Sequence, residues 1–191
     1  SGALPAHAFG EFVAQSEGWL RVIGRHGFQE AYRHLLAQVF QTPGYTWPAE
    51  RLKVLDVGIG TGAMSLALQQ VLGRGFHLDG VDISDAMLAE TRRHLADIEI
   101  SATLRRADLT SLPFPDRSFD VVLAAHVIEL LPDPMEGLRE IHRVLKPGGL
   151  VVCCLTRASL LGTFIQLKWR THTVARHRAI EWMGRCGFSA C

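Results

Sequence analysis

Apolar and polar positions follow two different periods along this chain, and each change of period marks a new element. Between residues 28 and 40, Phe28, Ala31, Tyr32, Leu35, Leu36, Val39 and Phe40 share one helical face at the i, i+3, i+4, i+7 spacing. A shorter helix is expected before it, near residues 9–23, and Pro43, Gly44 and Pro48 then break the chain. Beyond the break, short apolar runs alternate with helical periodicity. Strands are predicted near 52–57, 77–82, 100–105, 119–125 and 150–156, with helices near 62–72, 84–96 and 134–145. Five strands joined by crossovers predict an α/β fold, a doubly wound and mainly parallel sheet with helices on both faces. The expected organisation is one domain over residues 1–191. It has an N-terminal helical cap (1–48), a core (49–157) and a C-terminal segment (158–191), with no internal repeat.

The stretch Val54-Leu55-Asp56-Val57-Gly58-Ile59-Gly60-Thr61-Gly62 runs from the first predicted strand into a glycine turn that opens a helix. Glycines at alternate positions 58, 60 and 62 let the backbone turn sharply and leave room for a ligand against it, at the N-terminus of the helix from Ala63 to Leu72. Asp56, two residues before the first glycine, would repel a pyrophosphate but suits an ammonium group. An amino-acid-bearing nucleotide is therefore favoured over a dinucleotide. Asp82 closes the second strand twenty residues beyond Gly62, the place from which a carboxylate accepts hydrogen bonds from ribose hydroxyls. A capping role for Asp82 is the alternative, but Ser84 and Asp85 already supply that chemistry.

These motifs resemble those of the class I S-adenosylmethionine (SAM)-dependent methyltransferases. Val54 to Gly62 is similar to their first motif and Val81-Asp82-Ile83-Ser84 to their second. Ala107-Asp108-Leu109, Leu112-Pro113-Phe114 and Ser118-Phe119-Asp120 resemble the stretch between strands three and four. Val144-Leu145-Lys146-Pro147-Gly148-Gly149 resembles the turn before strand five. The resemblance covers roughly residues 50–157 and leans toward the small-molecule branch typified by the ubiquinone and menaquinone C-methyltransferases. It implies a Rossmann-like methyltransferase fold whose strand order reverses between strands one and four. It also implies SAM as cofactor, with S-adenosylhomocysteine as product. Asp56, Gly58, Gly60, Gly62, Asp82, Ile83, Asp108, Leu109 and Ala125 are the implied cofactor-binding residues. Within that set Asp108 would accept from the adenine amino group, the Leu109 amide would donate to a ring nitrogen, and backbone at Ala124-Ala125-His126 would hold the methionine end.

The same region narrows the acceptor. The Asn/Asp-Pro-Pro-aromatic tetrapeptide of enzymes acting on exocyclic amines of DNA or on glutamine in proteins is missing after strand four, and no cysteine nucleophile for cytosine C5 follows it. His126 and Glu129 are the two side chains near the expected transfer point able to move protons, with Glu129 expected at the pocket rim or in solvent. Leu130 stands where relatives often carry a histidine, so neither is assigned as catalytic. In-line displacement from a sulfonium depends chiefly on orientation, and a base helps only where the acceptor must lose a proton early.

Composition changes this picture little. A chain that is 48% hydrophobic and 20% charged, with a formal net charge of +1, is an ordinary globular protein and a poor non-specific nucleic-acid binder. No apolar run reaches the roughly 18 residues that would span a bilayer, no signal peptide is read at the start, and a cytoplasmic setting is expected. Cys153 and Cys154, adjacent on a strand, should point to opposite faces. Cys186 and Cys191 lie apart, so four thiols and no metal site are expected.

Residues 157–191 are the exception. Arg157, Lys168, Arg170, Arg176, Arg178 and Arg185 face Glu181 as the one acid, leaving this segment at +5 and the rest at −4. Leu160, Leu161, Phe164, Ile165 and Leu167 form an apolar stripe beside Lys168, Trp169 and Arg170. This is either a helix packed on the sheet with a solvated basic edge, or a contact surface for an acidic or lipid-like acceptor or an anionic membrane. Gly187-Phe188 resembles the lead-in to a sixth strand, yet the sequence stops three residues later, so the family's closing hairpin is either absent or cut off by truncation. An uncovered sheet edge of that kind invites pairing, so a homodimer is an expected partner state. The expected activity is methyl transfer from SAM to a small, hydrophobic or acidic acceptor. A non-catalytic SAM-binding subunit and a nucleotide-dependent oxidoreductase are the alternatives.

Overall fold

The computed structural model describes residues 16–41, 50–96, 98, 100–155 and 174–188. Helix α1 (Ser16–Phe40) is followed by β1 (Lys53–Val57), α2 (Ala63–Leu72), β2 (His77–Asp82), α3 (Asp85–Leu95), β3 (Ser101–Arg106) and β4 (Phe119–Ala125). A 3-10 turn (Ile128–Leu130), α4 (Pro134–Val144), β5 (Leu145–Cys154) and α5 (Arg176–Arg185) complete the order. All four strand pairings are parallel and the sheet runs β3-β2-β1-β4-β5, so the order reverses between β1 and β4 as expected.

Alternation along the central strands divides the core into two layers. Val54, Val121, Leu123 and Val152 point to one face, where Leu36 and Val39 of α1, Leu68 of α2 and Leu88 of α3 cover them. Leu55, Val57, Val122, Ala124 and Val151 point to the other, against Leu138 and Ile141 of α4 and Met183 of α5. Strands buried on both sides read as continuous Val/Leu runs, as parallel sheets require. Cys154 packs with the first layer and Cys153 with the second, so the adjacent thiols do face opposite ways. Both are free, as is Cys186, while Cys191 lies outside the described residues.

As expected, two helices precede the first strand: α1 is kinked at Gly27, where φ is 81° and ψ 175°, into two helical halves. The face predicted on the second half is buried from Ala31 to Phe40. β5 begins at Leu145 rather than near residue 150. Leu145 already pairs with Phe119, and the register then slips before Leu150 pairs with Val121, so Lys146-Pro147-Gly148-Gly149 bulges out of the ladder. The apolar stripe of residues 160–167 and the aromatic positions Phe9 and Phe12 lie outside the described residues. Among the described residues no helix is long and apolar enough to cross a membrane.

Candidate functional site

β1 delivers Asp56 to the face covered by α1 and α2, one residue from its end. The carboxyl group is 1% exposed and accepts a 2.6 Å hydrogen bond from the Ser65 hydroxyl of α2. Burial is the main cause of a pKa pushed up to about 7; the Ser65 bond opposes the shift and the Asp82 charge adds to it. A buried acid so held gains from a cationic neighbour, since an isolated buried charge is costly.

The glycine turn follows, with Gly58, Gly60 and Gly62 all at positive φ (65°, 56° and 80°). These are left-handed conformations that favour glycine. Two of the three glycines are also hemmed in by protein. A Cβ at Gly58 would sit 2.6 Å from Val127 Cγ2, and one at Gly62 would lie 3.2 Å from Thr91 Cγ2. At Gly60 it would meet only the Gly58 carbonyl oxygen, 3.8 Å away. The turn is therefore packed at its two ends and open in the middle.

Asp82 ties this turn to β2. Its Oδ2 accepts from the Gly60 amide at 3.0 Å and its Oδ1 from the Ser84 amide at 2.9 Å. A carboxylate offers about four lone-pair sites, so two remain for further donors. Ser84 is the N-cap of α3, accepting from the Met87 amide at 3.3 Å, so capping does not fall to Asp82. Ile83 follows with 68% of its surface exposed.

Past β3, Asp108 is exposed, and its Oδ1 accepts both the backbone amide and the hydroxyl of Thr110 at 2.8 Å. Those bonds, the backbone one foremost, hold its pKa below the ordinary carboxylate value. Leu109 is buried. The loop that carries them is anchored from α4. Glu140 Oε2 accepts from the Leu112 amide at 2.7 Å, and Arg143 donates to the carbonyls of Leu112 and Phe114 at 3.0 and 2.8 Å. Nothing local in the sequence announces this anchor, because it joins residues about thirty positions apart.

At the end of β4, Ala125 is half-buried and His126 takes a left-handed φ of 56°, rare outside glycine. Its amide donates to the Cys154 carbonyl at 2.8 Å. Its Nδ1 lies 3.3 Å from Glu129 Oε1. Glu129 is not at the rim or in solvent, as the sequence led us to expect. It is 2% exposed, turned inward by the 3-10 turn that starts two residues after His126. Tyr32 of α1 closes this corner, with its ring centroid 6.5 Å from that of His126. Burial first, then the nearby Cys154, Asp56 and Glu129, push the Tyr32 phenol well above its ordinary pKa. Burial likewise raises the Cys154 thiol, with Glu129 and Asp56 adding to the effect.

Asp56, Gly58, Gly60, Gly62, Asp82, Ile83, Asp108, Leu109 and Ala125 thus all sit at or just beyond the carboxyl ends of β1–β4, on both sides of the order reversal. Sequence reasoning missed Ser65, Val127 and Thr91, and also His94, whose Nδ1 lies 2.8 Å from the Thr61 carbonyl of the turn. For Ser65 the signal was present, a small polar residue one turn into α2 on its sheet-facing side.

A glycine turn opening a helix, a buried acid beneath it and a second acid closing the next strand stand together at the carboxyl edge of a parallel α/β sheet, the architecture of Rossmann-like domains. The chain belongs to the methyltransferase domain family, whose model matches residues 55–153, and the family's methyl donor is SAM. Demethylmenaquinone methyltransferase of Staphylococcus epidermidis is 39% identical over 115 residues, which is 60% of this chain and 47% of that protein. The chain therefore spans about half the length of the curated relatives it matches. Among solved structures, the complex of the Haloferax volcanii Trm112 methyltransferase activator with its methyltransferase aligns over 93% of this chain and 76% of that one. The TM-score is 0.67 and the identity 25%. The cyclase SpnF aligns over 86% and 59%, with a TM-score of 0.66 at 24% identity, a likeness of fold alone. The residues present fit the donor: Gly60 leaves the turn open where a side chain would fill it, and Asp56 supplies a buried acid whose ionised form a cationic ligand would favour.

Proposed function

We propose that this chain binds SAM across the carboxyl ends of β1, β2 and β4 and transfers its methyl group to a small, hydrophobic or acidic molecule by in-line displacement. The observation that carries this reading is the glycine turn pinned by Asp82 yet open over Gly60, with Asp56 buried beneath. SAM, when bound, supplies a methyl carbon made electrophilic by its sulfonium. The two lone-pair sites left on Asp82 suit ribose hydroxyls. Ile83 offers an apolar surface for adenine, Asp108 and the Leu109 amide suit its polar edge, and backbone at Ala125 borders the methionine end.

Orientation alone can contribute about 7–11 kcal/mol to such a displacement. His126 and Glu129, 3.3 Å apart, are our candidates to take a proton where the acceptor loses one. His126→Ala and Glu129→Ala should both leave turnover measurable if orientation dominates. A fall in kcat of about 10²–10⁴ in His126→Ala, with SAM affinity kept, would instead mark a general base.

The similarity to a demethylmenaquinone methyltransferase supports a quinol-like acceptor. A quinone ring carbon is electrophilic, so the reduced form is the one able to attack a methyl group. The test is transfer of label from methyl-labelled SAM to a reduced short-chain demethylmenaquinone, beside a panel of small phenols, amines and acids. Product on any acceptor is the expected result. SAM binding with no product on the panel would favour a silent SAM-binding subunit, and nicotinamide binding in place of SAM would favour an oxidoreductase.

A further inference from the structure

Three successive peptide units of the glycine turn are held by hydrogen bonds, and α3 supplies two of the partners. The Gly60 amide donates to Asp82 Oδ2, and on the other side of the same peptide unit the Ile59 carbonyl accepts from the Gly62 amide at 2.8 Å. The Gly60 carbonyl accepts from the Thr91 hydroxyl at 2.5 Å. The Thr61 carbonyl accepts from His94 Nδ1 at 2.8 Å.

We infer that Thr91 and His94 are positioning residues that set the affinity of the turn for SAM. The inference rests on the cofactor reading above. Carbonyl and N–H point in opposite directions across a trans peptide, and the described residues contain no cis bond. Holding the Gly60 carbonyl on Thr91 therefore turns the Thr61 N–H away from α3. Holding the Thr61 carbonyl on His94 sets the Gly62 N–H inward, where it meets Ile59. The clamp thus keeps two carbonyl dipoles off the open side of the turn and leaves an amide facing outward at an exposed residue.

Burial separates the two side chains in kind. Thr91 is 0% exposed, and its methyl group packs where a Cβ on Gly62 would intrude, at 3.2 Å. A buried hydroxyl left without its acceptor is costly, which ties the threonine rotamer to the turn. The His94 side chain is 42% exposed, with Nε2 3.1 Å from Glu90 Oε1 on its own helix. It therefore reaches the turn from the surface, and removing it disturbs little of the core.

Calorimetric titration with SAM and with S-adenosylhomocysteine, beside thermal melts of the free proteins, tests this. Thr91→Val keeps shape but loses the donor, and should weaken both ligands about five- to tenfold. Thr91→Ser keeps the hydroxyl and should stay within about twofold of the parent. His94→Ala should weaken both ligands about threefold with its melting temperature nearly unchanged. Amide hydrogen exchange at Gly60–Gly62 in the free proteins should quicken in Thr91→Val and His94→Ala but not in Thr91→Ser. Affinities equal to the parent's in Thr91→Val and His94→Ala would overturn the inference while the cofactor reading stands. Should Thr91→Val not fold, unchanged affinity in His94→Ala decides alone. A parent that binds neither ligand removes the cofactor reading, and this inference with it.

Discussion

At the scale of single residues, two acids at the site do different work because their surroundings differ. Asp82 accepts two backbone amides at the strand end, with room for further donors. Hydrogen bonds to a charged group are worth roughly 1.5–3 kcal/mol each. Asp82→Ala should therefore weaken SAM by at least about tenfold. It should also loosen the turn, because the Gly60 amide loses its acceptor. Calorimetry on the folded variant checks this, and unchanged affinity would remove Asp82 from the site. Asp56 instead sits in the core at a pKa of about 7, against an ordinary value of 3.8. Between those values the folded chain holds a proton that the unfolded chain releases. The acid's contribution to stability is therefore full below about 3.8 and is lost as pH rises through about 7. A cationic ligand reverses the preference, since it favours the ionised form. SAM affinity should rise from pH 6 to pH 8 with proton release, whereas the stability of the ligand-free protein should fall over the same range. Asp56→Asn should flatten both slopes. A wild-type protein whose SAM affinity is constant across that window would contradict the assignment.

At the scale of elements, the glycine turn shows how local pattern and long-range packing share control of one site. The strand–turn–helix order, the periods on either side and the acid at the end of β2 were legible from Val54 to Asp82 because each depends on neighbours in sequence. The reversal beside β1 came from resemblance, and the ladder bears it out. What could not be read depends on contacts made from afar. Val127 lies 2.6 Å from a Cβ at Gly58, Thr91 holds the Gly60 carbonyl, and Arg143 anchors the loop that carries Asp108. Glu129 was misjudged for a related reason. A glutamate read in isolation belongs in water, but the 3-10 turn after β4 carries it inward to His126. The two glycines should accordingly fail differently. Gly58→Ala drives a methyl group into Val127, so the folded protein itself should suffer, as overpacking costs about 1–3 kcal/mol. Gly60→Ala meets only the Gly58 carbonyl oxygen, at an ordinary contact of 3.8 Å, and loses only the left-handed preference, about 1–2 kcal/mol. Its larger effect should be on SAM, whose place the methyl group enters. Thermal melts paired with SAM titrations would separate the two. Equal losses of stability with equal SAM affinities would mean that the open side of Gly60 is not where the ligand lies.

At the scale of the whole molecule, charge is unevenly divided. Residues 157–191 carry +5 while the remainder carries −4. In the described part of that segment, α5 turns Ala179 and Met183 into the core and leaves His177, Arg178 and Arg185 exposed. Arg185 has Glu181 on the same helix 3.8 Å away, both well exposed, an ion pair of little strength. Arg185 is thus barely neutralised by Glu181, and with Arg178, also exposed, it gives α5 a basic surface. An acceptor that is hydrophobic, acidic or held at an anionic membrane would meet that surface on favourable terms. Basic residues near an anionic bilayer contribute about 1 kcal/mol each, and the effect fades within a Debye length of about 10 Å at 0.1 M salt. Several such residues together should give binding that is measurable at low ionic strength and mostly gone at high. Co-sedimentation with vesicles containing phosphatidylserine, against vesicles of phosphatidylcholine alone, reads this directly at two salt concentrations. Retention on the anionic vesicles only, and only at low salt, is the expected outcome. Binding that is negligible on both would place the acceptor in solution and leave the basic surface as the solvated edge of a packed segment.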